Sequence, residues 1–538
     1  MQLGISKSVS KKQKESALIM RKQTKIAAVV SAAALLALGA SMTSFAASKG
    51  TWMMVDGEWY CYDKNGDAYT NVFCSSNGKE YYVGDDGQLV RSEWVEYDSS
   101  YYFVNSSGAK ITNDWRLTTP YDDESADEEW YYFKSNGKRA EGEKITYKGK
   151  TYYFDSDGKM LTGWVNKGEG TAAVNEATGY IPNQTFYCDE TGARVEGAWV
   201  KDTKPGITDD DADEDEYWYY LKKATGKPAT GKQSNINGQI YLFNSVGEMQ
   251  YGWVAESRAT ANNAKGYTSD YYQLDEDDNK HAMDTADHDV YYCGDEDDGH
   301  AKKNKWLKTW LPDDANEEED DKKWFWFDKN GELYRTETGS NATKYKLDEG
   351  KLVVDGSASG VAKKKVNSKD YWFTSDGVML SKFYLINDNM YYFGGSDDGS
   401  MKTGAQSVKD NVGDTYRFYF YTKDQNIDDY KSNNGEKLYK GAGVIGNQSN
   451  KLYYYGMLIQ ADDYKYQLAT VNGKTFIVNS NGSIQHSSID YKEDGDTLIA
   501  AKSAEFSTTD KQYKYYVTKG LGTSSVTDID LGSFVQGK

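Results

Sequence analysis

The residues in this sequence with chemistry to offer are aromatic. Tyrosine occurs 46 times, beside 14 Trp and 17 Phe. They gather in short runs such as Tyr152-Tyr153-Phe154, Trp130-Tyr131-Tyr132-Phe133 and Trp218-Tyr219-Tyr220-Leu221. Tyr and Trp join a broad apolar body to a polar tip, so one residue type can pack a thin core and also face a ligand. An aromatic face attracts a cation through the ring quadrupole, and it can also stack on the C–H face of a sugar. Nucleophilic and metal chemistry have a weaker footing. The histidines are His281, His288, His300 and His486, the first three in an acidic stretch, and no nucleophile–base motif accompanies them. We therefore expect no catalytic residue, no metal ligand and no cofactor.

The elements that carry these aromatics are a repeat. Its unit is an aromatic triplet, a polar turn ending in Gly, a short mixed strand, and then Gly-Trp or a relic of it. The clearest copy runs from Tyr152 through Asp155-Ser156-Asp157-Gly158 to Gly163-Trp164. Further copies begin at Trp59, Tyr81, Tyr101, Trp130, Phe186, Trp218, Tyr241, Tyr271, Trp324, Tyr371, Tyr391, Tyr419, Tyr453 and Tyr515. A spacing of roughly 20 residues falls among the periods of solenoids and arrays. Aromatic runs favour strands, and Asn-Gly or Asp-Gly turns favour hairpins, because Gly supplies the positive φ that such loops require. Asp-rich turns such as Asp85-Asp86-Gly87 lack the ligand spacing of a calcium loop and read as turns. One hairpin is marginal in water, but many stacked in series bury a face of each. The expected fold is all-β, with tandem β-hairpin repeats stacked into an elongated β-solenoid. Acidic insertions at 121–129, 201–216 and 311–323 read as solvated loop tips.

Composition narrows the partners. The net charge is -20 and the mean hydropathy -0.80, so the chain repels phosphate backbones and anionic lipid, and nucleic acid is excluded as a partner. Arg21, Lys22 and Lys25 precede an apolar run from Ile26 to Leu38, and Ser44-Phe45-Ala46 follows. That order predicts a signal peptide over residues 1–46, with Met20 as an alternative start, and no membrane span. Cys61, Cys188 and Cys293 each close an aromatic triplet where other copies carry Phe, and so read as core hydrophobes. In a linear stack Cys188 and Cys293 lie too far apart to join, which leaves Cys61 and Cys74 as the one pair within reach.

The Gly-Trp strands at Gly163-Trp164, Gly252-Trp253 and Gly197-Ala198-Trp199, with the aromatic runs, resemble the choline-binding or cell-wall-binding repeat family. That family is itself similar to the glucan-binding repeats of glucansucrases and to clostridial toxin repeats. The resemblance covers the chain from Trp52 to about Tyr516. It implies ligands seated between successive hairpins, in cages made of the Trp after Gly, the first aromatic of the next triplet and an aromatic from the following repeat. Transferred to this sequence, it assigns Trp94 with Tyr101 and Trp115, Trp164 with Phe186 and Trp199, Trp199 with Trp218, and Trp253 with Tyr271. Residues 47–330 would form a Trp-rich ligand-binding region, and residues 331–538 degenerate, Trp-poor repeats of the same kind. The implied function is that of a secreted, non-catalytic protein held non-covalently at the bacterial surface. Its ligand would be choline-bearing teichoic acid or an extracellular glycan. The alternative is a surface adhesin or scaffold with a protein partner.

Overall fold

A computed structural model describes residues 50–537 except 168–170, 175–178, 182, 207–214, 258–269, 275–287, 313–320, 337–338, 426–437 and 508–515. The leader over residues 1–46, His281 and Tyr515 lie outside the described residues, as do half of the 201–216 insertion and most of the 311–323 insertion. Among the described residues the secondary structure is β-strand, apart from a three-residue 3-10 turn, Leu531–Ser533.

The recurring element is an antiparallel hairpin. In the pair Asp114–Thr118 and Glu129–Phe133, Trp115 stands opposite Tyr132, and Leu117 opposite Trp130. The same register sets Trp94 opposite Phe103, Trp199 opposite Tyr220 and Trp306 opposite Trp326. Side chains alternate between faces along a strand, and the triplet Tyr152-Tyr153-Phe154 follows that rule. Tyr152 and Phe154 both pack on Trp115, whereas Tyr153 stacks on Phe186 from the other face.

Many of the turns after the triplets are closed by their own Asp or Asn. The Asp155 carboxylate accepts the backbone N–H of Asp157 at 3.0 Å and of Lys159 at 2.8 Å. Asp63, Asn105, Asp189, Asp328 and Asn479 make the same pair of bonds. This local capping is what Asp and Asn offer a turn.

Two contacts then join most of the hairpins to their predecessors. The second residue after the turn glycine donates its N–H to the first of the four residues the preceding hairpin offers from its second strand. The bonds run from Leu89 to Trp59, Lys110 to Glu80, Arg139 to Tyr101, Met160 to Trp130, Arg194 to Thr151 and Met249 to Trp218, each at 2.8–2.9 Å. We call the donor the post-turn residue and the acceptor the lead residue. In addition, the post-turn side chain lies flat on the turn glycine of the following hairpin. A Cβ at Gly158 would stand 2.5 Å from Arg139, one at Gly137 2.8 Å from Lys110, and one at Gly108 2.6 Å from Leu89. Glycine is thus required twice over, for its positive φ and for this close approach.

The chain forms two compact units. One comprises the residues up to Thr230 with Ser245–Met249, the other Gly231–Asn244 with Gln250–Lys538. The first unit is mostly two-stranded sheets in series. Its exception is Gly163–Lys167, which pairs with Thr185–Cys188 on one edge and with Thr171–Ala173, from an insertion, on the other. The second unit repeats that device at Trp253–Ser257, flanked by His288–Tyr292 and Asp270–Gln273. From Ser340 onward the hairpins merge into sheets of three to six strands, including the sixteen-residue strand Lys351–Val366. Aliphatic side chains take over the packing there, with Leu352, Leu452, Ile459, Val471 and Val478 in a cluster around Phe418, Phe420 and Phe476.

All four cysteines are buried. Burial pushes the Cys188 thiol up to about 12, while Cys61 and Cys74 share one small core with Val83. A thiol kept neutral by desolvation is a poor nucleophile, so native protein should alkylate Cys188 and Cys293 only after denaturant is added. Rapid labelling of either in the folded chain would contradict this packing. A second test separates the two demands on glycine. Gly149 has φ +79° with open space around it, whereas Gly158 has φ +78° and the Arg139 stem against it. Gly149→Ala should cost about 1–2 kcal/mol for the backbone alone, and Gly158→Ala a further ~1–3 kcal/mol for the clash, measured by denaturant melts. Equal losses would show that the close approach carries no energy.

Candidate functional site

Stacking hairpins in this register creates a seam between each pair. Four positions line it: the first-strand tryptophan, the lead residue, the second aromatic of the next hairpin, and the post-turn residue. In the seam between 114–133 and 144–154 these are Trp115, Trp130, Tyr152 and Met160. Trp115 and Trp130 meet edge to face at 6.4 Å and 83°. Tyr152 comes to 4.8 Å from Trp115, and Met160 packs into the same cluster. All four are half-buried. Met is well suited to an aromatic wall, since its sulfur is polarisable and its chain flexible.

The second unit contains the same constellation. Trp306 and Trp324 meet at 6.5 Å and 83°, Tyr371 lies 4.8 Å from Trp306, and Met379 belongs to that cluster. Met379 also donates its N–H to the Trp324 carbonyl at 2.9 Å, as Met160 does to Trp130. The Trp324 indole N–H donates to the Asp397 carboxylate at 2.9 Å, which also holds Lys308 at 2.8 Å. These bonds to Lys308 and Trp324 hold Asp397 below the usual carboxylate range. Trp199 and Trp218 form the same edge-to-face pair at 6.4 Å and 88°, with Met249 bonded to the Trp218 carbonyl.

The residues singled out from the sequence fall into three groups. Trp199 and Trp218 are brought together, as just described. Trp94 and Tyr101 share a seam, where both face the Arg139 guanidinium, at 5.4 Å and 4.4 Å. Trp115 lies in the next seam, so it does not join them. The remaining assignments are separated by strand alternation. Trp164 stands opposite Tyr187 and meets Tyr219 at 4.8 Å, while Phe186 stands opposite Val165 and faces the other way, onto Tyr153. Trp164 is therefore grouped with neither Phe186 nor Trp199. Trp253 packs on Tyr292, Phe325 and Phe327. Tyr271 sits on the inserted edge strand, buried against Tyr291. The triplet that continues the repeat is Tyr291-Tyr292-Cys293.

Trp130, Tyr152 and Met160, with Trp306, Trp324, Tyr371 and Met379, complete seams that the assigned pairs did not include. Their signal in the sequence is a Trp heading the triplet combined with Met two places after the turn glycine. Trp306 was obscured because Lys305 replaces the usual Gly before it.

Other seams are filled by the chain itself. Arg139, almost fully buried, lies over Tyr101, Trp94 and Tyr131 and bonds the Glu141 carboxylate at 2.9 Å. Lys110 lies 4.9 Å from Phe73 and 5.4 Å from Tyr102, paired with the lead residue Glu80. Arg194 lies 5.3 Å from Phe186 and donates to the Tyr153 hydroxyl at 3.1 Å. In the second unit Lys232 lies 4.7 Å from Tyr291 and pairs with Glu332 at 3.3 Å. Among the described residues no chain cation lies over Trp115, Trp130 or Tyr152, nor over Trp306, Trp324 or Tyr371. The described residues also contain no cluster of three or more His, Cys, Asp or Glu that could hold a metal, and no helix long and apolar enough to cross a membrane.

Comparison with known proteins places these repeats. Residues 125–166 match the family described as "Choline-binding repeat". Residues 92–110 and 318–333 match "Putative cell wall binding repeat". The chain is 26% identical to Glucosyltransferase-I of Streptococcus downei, over 80% of this chain and 26% of that one. It is 29% identical to Glucosyltransferase-S of Streptococcus mutans over 37% of this chain and 11% of that one. The chain thus spans about a quarter or less of the length of these relatives. Among solved structures it is similar to choline binding protein F of Streptococcus pneumoniae, with 17% identity and a TM-score of 0.28, over 77% of this chain and 98% of that one.

The two kinds of tryptophan should respond differently to truncation. Trp130 is half-exposed at a seam without a chain cation. Trp372 packs against Tyr391 at 5.7 Å with its indole N–H buried and unpaired. Trp372→Ala should lower stability by about 3–5 kcal/mol and leave choline affinity per folded molecule unchanged. Trp130→Ala should melt near the wild type and lose the part of the choline-dependent tryptophan quenching that comes from the Trp115 seam, leaving that from Trp306 and Trp324. The reverse pattern would remove Trp130 from the site.

Proposed function

We propose that a chain built on choline-binding and cell-wall-binding repeats such as these attaches to choline-bearing polymer of a bacterial wall, as a secreted, non-catalytic binding protein. The observation that carries this reading is the recurrence of one arrangement, Trp115–Trp130–Tyr152–Met160 and Trp306–Trp324–Tyr371–Met379, without a resident cation. Quaternary ammonium cannot donate hydrogen bonds, so aromatic faces are the groups best able to hold it. Each cation–π contact contributes about 0.5–2 kcal/mol, and several rings converge on each seam. The charge of -20 adds a long-range attraction for cations. A single seam of this kind binds weakly, but a polymer bearing many cholines engages several seams of one chain, and the linked contacts multiply into avidity.

The same rings would also accept the C–H face of a sugar, so a glycan is the competing ligand. The several indole and phenol faces converging on each seam favour the cation, because ring faces attract positive charge through their quadrupoles.

Immobilised choline distinguishes the two. The protein should be retained on choline-substituted cellulose and released by free choline, with release by salt alone being incomplete. Passage through that column combined with capture by insoluble glucan would establish the glycan reading instead. Clearing of a turbid wall suspension by the purified protein would overturn the non-catalytic part of the proposal.

A further inference from the structure

The seams differ at the post-turn position: a Trp lead residue is met by an uncharged side chain, Leu89 at Trp59 and Met at the other three, while Asp370 is met by Met401. Where the lead residue is Trp130, Trp218 or Trp324, the post-turn residue is Met160, Met249 or Met379. Where it is Glu80, the post-turn residue is Lys110 and the two form an ion pair. Where it is Tyr101, the post-turn residue is Arg139, whose guanidinium sits among Tyr101, Trp94 and Tyr131. Thr151 is matched by Arg194, lying over Phe186.

The Arg139 seam shows what these cations do. Its rings are arranged as in the Trp115 seam, with Trp94 to Tyr131 at 4.9 Å against Trp115 to Tyr152 at 4.8 Å. A positive charge already occupies the space those rings face, and Glu141 holds it there. We infer that Arg139, Lys110 and Arg194 are built-in occupants of their seams, and that the post-turn residue decides which seams of this chain are closed to an external cation and which are open. The inference rests on reading the Met-bearing seams as quaternary ammonium sites. A tethered cation has an effective concentration in the millimolar range or above, so a weakly held free ligand cannot displace it. The closed seams act as internal staples, and the open ones, at Met160 and Met379, as ligand sites; the Met249 seam is not counted with these, because Lys201 from the first strand lies 5.8 Å from the Trp218 ring.

Replacing the post-turn residue should therefore interconvert the two kinds. In the full chain, Arg139→Met should create an additional choline site, read by calorimetry with choline chloride as a higher stoichiometry and by new quenching from Trp94. Met160→Arg should do the opposite, lowering the stoichiometry and abolishing quenching from Trp115 and Trp130. Met is accommodated at this position in the folded seams of Met160 and Met379, and melting checks each variant. Should Arg139→Met fail to fold, Arg194→Met and Met160→Arg carry the same test. Unchanged stoichiometry in the folded variants overturns the inference. The wild type reports separately on the proposed function. Choline binding by wild type with no gain in Arg139→Met sinks the inference alone. A gain in Arg139→Met over a silent wild type would show that Arg139 closes its own seam but would overturn the proposed function and, with it, the reading of the Met160 and Met379 seams as open, and silence in both overturns both.

Discussion

Everything in this molecule depends on how one hairpin rests on the next. A two-stranded hairpin has too little buried surface to hold its shape in water, and the first unit consists mostly of such pairs. The post-turn residue solves this with its backbone and its side chain together. Its N–H closes on the lead carbonyl of the preceding hairpin, and its side chain lies on the turn glycine of the following one. One residue thus fixes the spacing and register of three hairpins. The same contact dictates that the turn glycine carry no Cβ.

That constraint explains why the aromatics are placed as they are. With register fixed, the first-strand tryptophan must fall against the second and fourth residues of the next strand. Trp94 meets Tyr131 and Phe133, Trp115 meets Tyr152 and Phe154, Trp253 meets Phe325 and Phe327, and Trp306 meets Tyr371 and Phe373. These tryptophans are structural first, since burial of so large a side chain dominates local packing. Only the outer part of the seam, between lead and post-turn residues, is free to vary without loss of the stack.

The hairpins, their turns and the stacking were legible in the sequence, because strand alternation and Gly-terminated turns are local signals. Which aromatics meet was much less legible. The family pattern groups Phe186 with Trp164 as the first aromatic of the next triplet, yet a shift of one residue along a strand puts it on the opposite face. Tyr271 looked like the start of a repeat, but the register passes it over for Tyr291, since Gly252 and Gly294 pair their backbones. An insertion that adds an edge strand carries the same residue types as the repeat itself. The wide sheets after Ser340 were also hidden, because a long aliphatic strand pattern does not say how many partners the strand will have.

Variation confined to the outer seam lets one chain separate holding itself together from holding something else. An arginine in an aromatic seam brings its charge, its hydrophobic stem and a carboxylate partner, and so adds cohesion between hairpins. A methionine fills the same floor with a shorter, uncharged side chain and leaves the ring faces unsatisfied electrostatically. Seams of the first kind flank those of the second: Arg139 and Arg194 lie on either side of the Trp115 seam in the order of the stack. Neighbours that keep their shape without ligand hold the Trp115 and Trp130 rings apart before anything binds, which reduces the ordering cost of association. The acidic surplus of the chain has a matching logic. Carboxylates such as Glu80, Glu141 and Glu196 pair with the seam cations, and the excess beyond those pairs sets the field that an incoming cation meets.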